Sequence, residues 1–142
     1  MEKILESLTL KMRIAVLWLF MAVAMSAHMV LSVFEPGVIQ QITSGKMQIS
    51  EEMFLFMALF WLIPLTMAFL SVTLKDLANR RANITVGIVF TALNIFHSLF
   101  ELMVQPSIHM IQPSLHQLLI DGSTVVVTAL IVWYAWKWPK ET

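Results

Sequence analysis

The sequence predicts an all-α integral membrane protein, an antiparallel up-down-up-down bundle of four transmembrane helices that forms a single domain over residues 1–142. Three observations lead there. Hydrophobic residues make up 58% of the chain and charged residues only 13%, against about a quarter charged in a soluble domain. Four windows, roughly 14–34, 53–74, 84–104 and 115–136, are apolar for long enough to span about 30 Å of hydrocarbon. The basic residues cluster on one side of those windows.

The first window, Ile14 to Phe34, follows a basic start and holds Ala22, Ala24, Ser26 and Ala27, which imitates a secretory signal. Its apolar run is about twenty residues, longer than a signal core, so it reads as a retained helix. The preceding Glu2 to Leu10 alternates apolar and charged residues and permits a short interfacial helix. Pro36-Gly37 and Ser44-Gly45 are turn signals around a short stretch that can lie on the membrane surface. The second window, Met53 to Leu74, contains Pro64, which removes one backbone hydrogen bond and predicts a packing bend. The third, Ile84 to Val104, and the fourth, Leu115 to Trp136, are interrupted by single acids, Glu101 and Asp121.

Lys3, Lys11 and Arg13 precede the first helix, Lys75, Arg80 and Arg81 separate the second from the third, and Lys137 and Lys140 follow the fourth. Lys46 alone falls on the other side. Retention of Lys and Arg in the cytoplasm then puts both termini inside. Trp133, Tyr134, Trp136 and Trp138 read as an aromatic belt at the inner interface.

A net charge of zero leaves no attraction to nucleic acid. The absence of cysteine removes disulfides and thiolate metal sites. No Gly-x-Ser-x-Gly, phosphate-binding glycine loop or His-Glu-x-x-His helix is present, so hydrolases, kinases and zinc peptidases are not indicated. Balanced basic residues, as a dual-topology exporter needs, are missing.

Ionisable groups inside a membrane are costly and mark sites. His28, Ser32 and Glu35 share one face of the first helix; Thr91, Asn94, His97 and Glu101 share one face of the third; Gln117, Asp121, Thr124 and Thr128 share one face of the fourth. With the alternating topology, His28 and Asp121 lie about 9 Å from the outer ends of their helices and Asn94 about 15 Å. All three stripes therefore meet in the outer half, with Met57 and Trp61 of the second helix expected as a wall. This predicts an outward-facing polar pocket for the polar end of a small amphipathic or lipid-like molecule, its ligands being His28, Asn94, His97, Glu101, Gln117 and Asp121. Ser32, Thr91, Thr124 and Thr128 are expected to join helices by hydrogen bonds, and Glu35 to be solvated at the interface. His109 and His116 are expected in or near a solvated loop.

Two other readings are open, the first on the same residues. His97 and Glu101 at i and i+4 can pair for acid–base work on a lipophilic substrate, with Glu101 or Asp121 as proton donor or acceptor. Alternatively the chain is a structural subunit or homo-oligomer, with Gly87 and Ala92 or Gly122 and Ala129 as close-packing residues. No cofactor is predicted. A divalent metal on His28, His97, Glu101 and Asp121, or a haem between the two histidines, is the remaining cofactor option.

Lys11-Met-Arg-Ile-Ala-Val-Leu-Trp18, Leu62-Ile-Pro-Leu-Thr-Met-Ala-Phe-Leu70 and above all Ile131-Val-Trp-Tyr-Ala-Trp-Lys-Trp-Pro-Lys140 resemble an uncharacterised family of small prokaryotic four-helix membrane proteins. The resemblance implies the four-helix layout in the inner, cytoplasmic membrane and no assigned activity. A looser analogy runs to the DoxX-like and sterol-isomerase-like four-helix bundles.

Overall fold

A computed structural model describes residues 2–45, 50–103 and 114–138. Lys46, His109 and Lys140 lie outside the described residues. Five helices form among the described residues: α1 (Glu2–Val33), α2 (Val38–Thr43), α3 (Glu51–Thr73), α4 (Asp76–Met103) and α5 (Leu115–Trp136). Four of them, all but α2, are long and apolar enough to cross a membrane.

Two helices begin well before their apolar windows. The first is one uninterrupted helix from Glu2, so the amphipathic leader is its opening three turns rather than a separate interfacial element. The third window is preceded by two more turns from Asp76, and these carry Arg80 and Arg81. At 1.5 Å per residue α1 and α4 reach about 48 and 42 Å, beyond a hydrocarbon core of about 30 Å. Charge marks where the apolar medium stops, and nothing in helix formation requires the helix to stop there. Gly37, at φ 86°, makes the left-handed turn into α2, and α3 runs on through Pro64.

Packing order differs from chain order. The first helix lies against α3 and α5, and α5 lies against α4, while α3 and α4 touch only lightly despite a two-residue connection. Lys11 ties that connection to α1: its Nζ donates to the Leu74 carbonyl at 3.0 Å and pairs with Asp76 at 2.8 Å, where Ser7 Oγ also donates at 2.7 Å. Arg80 Nε donates to the Ala135 carbonyl at the far end of α5. The start of α1 and the start of α4 thus sit beside the ends of α3 and α5.

The apolar core occupies the half of the bundle near those ends. Leu10, Ile14, Trp18 and Met21 follow one face of α1, and Val127, Ile131 and Ala135 one face of α5, with Trp138 just beyond it. Trp138 is 3% exposed, in contrast to the expected interfacial belt; it fills the bottom of this core while Trp133 and Trp136 face outward. The turn past the end of α5, in which the Trp138 amide donates to the Ala135 carbonyl at 3.4 Å, carries the side chain there. Gly87 is needed for the α4–α5 approach, since a Cβ there would lie 2.8 Å from Val132 Cγ2. Gly87 is thus spent inside the chain, whereas Ala92, Gly122 and Ala129 are exposed.

A fully buried polar network crosses this half. Asn83 Oδ1 accepts from Trp18 Nε1 at 2.6 Å and from Ser71 Oγ at 3.2 Å; Asn83 Nδ2 donates to Asn79 Oδ1 at 2.6 Å, and Asn79 Nδ2 donates to the Ser71 carbonyl at 2.6 Å. It joins α1, α3 and α4, and it lies outside the window assigned to the third helix because Arg80 and Arg81 end that window. Asn83→Ala strands the buried Trp18 and Asn79 groups and is expected to cost about 1–3 kcal/mol. Thermal unfolding in detergent checks this; an unchanged midpoint would show that the network adds no net stability.

Candidate functional site

On each of α1, α4 and α5 the buried stripe changes chemistry as it leaves the apolar core. Above Met21 the stripe of α1 reaches His28; above Phe90 that of α4 reaches Asn94 and Glu101; on α5 it runs from Thr128 and Thr124 to Asp121 and Gln117. The aromatic rings of Trp18 and Phe90, edge to face at 5.6 Å, and of Phe90 and Phe60, stacked at 5.0 Å, close the layer between. Phe56 extends that stack by one ring.

His28 stands between two carboxylates from two other helices. Its Nδ1 is 3.2 Å from Asp121 Oδ1 and its Nε2 is 3.6 Å from Glu101 Oε1. Glu101 Oε1 also lies 3.4 Å from His97 Nε2, the i,i+4 pair expected on α4. The two imidazole rings meet edge to face with centroids 5.6 Å apart. One donor atom from each of His28, His97, Glu101 and Asp121 lies within 4.8 Å of every other. The carboxylates are almost completely buried, with 7% of each side chain exposed, whereas the His97 side chain is 52% exposed and forms the rim. Glu101 Oε2 and Asp121 Oδ2 are buried and accept no hydrogen bond from the described residues.

The other expected ligands sit around this cluster in different roles. Asn94 is buried one turn deeper, where its Nδ2 donates to the Thr124 carbonyl at 3.4 Å and joins α4 to α5. Gln117 is buried one turn from Asp121, and its Oε1 accepts from the Ser114 amide, capping α5. Ser32, Thr91, Thr124 and Thr128 do not join helices. Each hydroxyl donates to a carbonyl of its own helix three or four residues back, at His28, Gly87, Asp121 and Thr124 respectively. A hydroxyl can reach its own i−4 carbonyl without any neighbour, so this local bond is satisfied first. Trp61 is 36% exposed, and Met57 is half-buried.

One pair was not foreseen. His116 Nε2 lies 3.1 Å from Glu35 Oε1, linking the segment after α1 to the first turn of α5 beyond Asp121. The half-exposed His116 ring marks a second histidine–carboxylate contact between the same two parts of the chain, and only the fold brings them together.

The family model described as Family of unknown function (DUF6326) matches residues 3–142. The chain belongs to this family. No curated protein and no solved structure matches it, so the likeness to DoxX-like bundles is not shown. Membership fits the uncharacterised four-helix family expected from the sequence and brings no activity with it, which leaves the geometry to speak for function.

Because His28 and Asp121 are in direct contact, their substitutions should not be independent. A double-mutant cycle with His28→Ala and Asp121→Ala, followed by unfolding in mixed micelles, is expected to give a coupling energy of about 0.5–3 kcal/mol. His28→Ala combined with the remote Thr73→Ala should be additive within about 0.5 kcal/mol. Additivity of the first pair would show that the two side chains act separately.

Proposed function

We propose that the protein spans the membrane four times, up-down-up-down with both termini in the cytoplasm, and binds the polar end of a small amphipathic or lipid-like molecule at the His28–His97–Glu101–Asp121 cluster. The carrying observation is that three helices bring four ionisable side chains, two of them buried carboxylates, to one place inside an otherwise apolar bundle. Such groups are costly in lipid and are a functional-site signal for that reason.

The surface supports the membrane reading. Phe54, Phe56, Leu62, Phe69, Val126 and Trp136 are among many large apolar side chains pointing outward, which is the face a lipid solvent selects. Two features support an amphipathic ligand. The exposed half of His97 gives access to buried carboxylates, and α3 packs lightly on α4. From Glu51 to Ile63 no residue of α3 is buried; its buried residues are Pro64, Met67, Ala68 and Ser71 in the other half. An apolar tail can enter between the outer halves of α3 and α4 while its head meets the imidazoles and carboxylates. The stacked Phe56, Phe60 and Phe90 rings would form the floor under it. Acid–base chemistry on a lipophilic substrate is the second reading, favoured by the pairing of each carboxylate with an imidazole.

Topology is directly testable because the chain has no cysteine. In intact cells an impermeant maleimide is expected to label Ser44→Cys, and to label Lys75→Cys only after permeabilisation. The reverse pattern would invert the orientation. For the ligand, protein purified in mild detergent is expected to retain a discrete amphipathic molecule, detected by native mass spectrometry. Loss of a charge-assisted hydrogen bond in His97→Ala or Asp121→Asn should lower its retention about tenfold or more. Finding only bulk lipids, in equal amounts on wild type and variants, would refute the pocket.

A further inference from the structure

We infer that His28, His97, Glu101 and Asp121 bind a single divalent transition-metal ion, of the class zinc, iron(II) or manganese(II). The inference rests on the preceding reading only for the location of the site, since the ion requires neither a tail groove nor a lipid.

Donor chemistry comes first. Two imidazole nitrogens and two carboxylate oxygens form the mixed set that suits zinc, iron and manganese, and neither thiolates for softer ions nor the all-oxygen shell favoured by magnesium or calcium is present. Spacing agrees. Donors held about 2.1 Å from a common tetrahedral centre stand about 3.4 Å from one another. His28 Nδ1 and Asp121 Oδ1 are 3.2 Å apart, His97 Nε2 and Glu101 Oε1 3.4 Å, and one donor atom from each of the four residues lies within 4.8 Å of the rest. Small side-chain rotations close that figure to a coordination sphere.

The buried carboxylates provide an independent pointer. Glu101 and Asp121 are each 5% exposed, and each keeps one oxygen that accepts no hydrogen bond from the described residues. No lysine or arginine pairs with either of them among the described residues; the side-chain contacts of both are with histidine. Two carboxylates and two neutral imidazoles carry a formal charge that one divalent cation cancels, with every ligand supplied by the chain. The edge-to-face contact of the two rings, 5.6 Å between centroids, suits donors converging on one ion rather than flanking a macrocycle. Entry is available past His97, whose side chain is half exposed.

The test uses the full chain in mild detergent, stripped with chelator and then titrated with zinc alone or cobalt(II) alone. After desalting, elemental analysis is expected to find one equivalent of zinc per chain, and cobalt is expected to give the visible ligand-field bands of a four- or five-coordinate site that zinc then bleaches. Asp121→Asn and Glu101→Gln should weaken binding by more than the roughly 10–100-fold that losing an outer-shell partner costs. Should either variant fail to fold, His97→Ala serves in its place, because a half-exposed rim residue can be removed without emptying the core. Zinc should raise the melting temperature of the wild type and of His116→Ala, but not of His97→Ala. Sub-stoichiometric metal on the wild type, or equal metal on wild type and His97→Ala, overturns the inference. The two readings fail separately: a discrete amphipathic molecule held by protein that takes up no metal removes the ion and keeps the pocket, whereas stoichiometric metal with no such molecule removes the pocket and keeps the ion.

Discussion

One imidazole between two buried carboxylates sets the terms for one half of this bundle. A carboxylate buried in an apolar interior is costly without a partner, and Glu101 and Asp121 both lie against His28, at 3.6 and 3.2 Å. The three residues come from α4, α5 and α1, so the arrangement survives only if those helices keep their rotation and height to within the length of a hydrogen bond. The rest of the fold can be read as the means of holding that register.

The means lie in the other half of the molecule. Gly87 allows α4 to press onto Val132 of α5, and a buried side chain of any larger residue would separate Glu101 from Asp121 further along the same pair of helices. Trp18 reaches α4 twice, through its Nε1 to Asn83 and through its ring to Phe90, which fixes α1 in both rotation and height. Asn79, Asn83 and Ser71 add directional hydrogen bonds that apolar contact between helices in lipid does not supply. Lys11, bonded to Leu74 and Asp76, anchors the same end. Packing along α3 is uneven in the same sense: its buried residues, Pro64, Met67, Ala68 and Ser71, lie toward the polar network, and none lies from Glu51 to Ile63.

These parts are not equally legible in the sequence. The four spans are legible because exclusion of charge over about twenty residues has no other common cause. The cluster is legible because an i,i+3,i+4 stripe of costly residues predicts its own face, and alternating topology predicts its depth; His28, His97, Glu101 and Asp121 follow from those two facts alone. Helix starts are not legible from apolarity, since Asp76 to Asn83 is polar yet helical and its asparagines are buried among Trp18 and Ser71. Trp138 misleads because the same side chain suits an interface and a core, and the turn past the end of α5 chooses between them. The small hydroxyls mislead for a related reason: a serine or threonine in a helix has a partner in its own backbone, so its presence on a polar face says little about the neighbouring helix. Glu35 and His116 are far apart in sequence and meet only through the fold.

The same layering bears on what kind of protein this is. A conducting or translocating bundle needs polar or hydrated contacts along its whole length. Here the ionisable cluster is followed by Asn94, beyond which Trp18, Phe90 and Phe60 pack ring against ring, Thr91 and Thr128 bond only to their own helices, and Ser71, Asn79 and Asn83 are wholly buried and bonded to one another and to Trp18. Among the described residues the cluster therefore has exposed His97 on one side and aromatic packing on the other. That layering supports the binding or local chemistry proposed above over passage through the bundle.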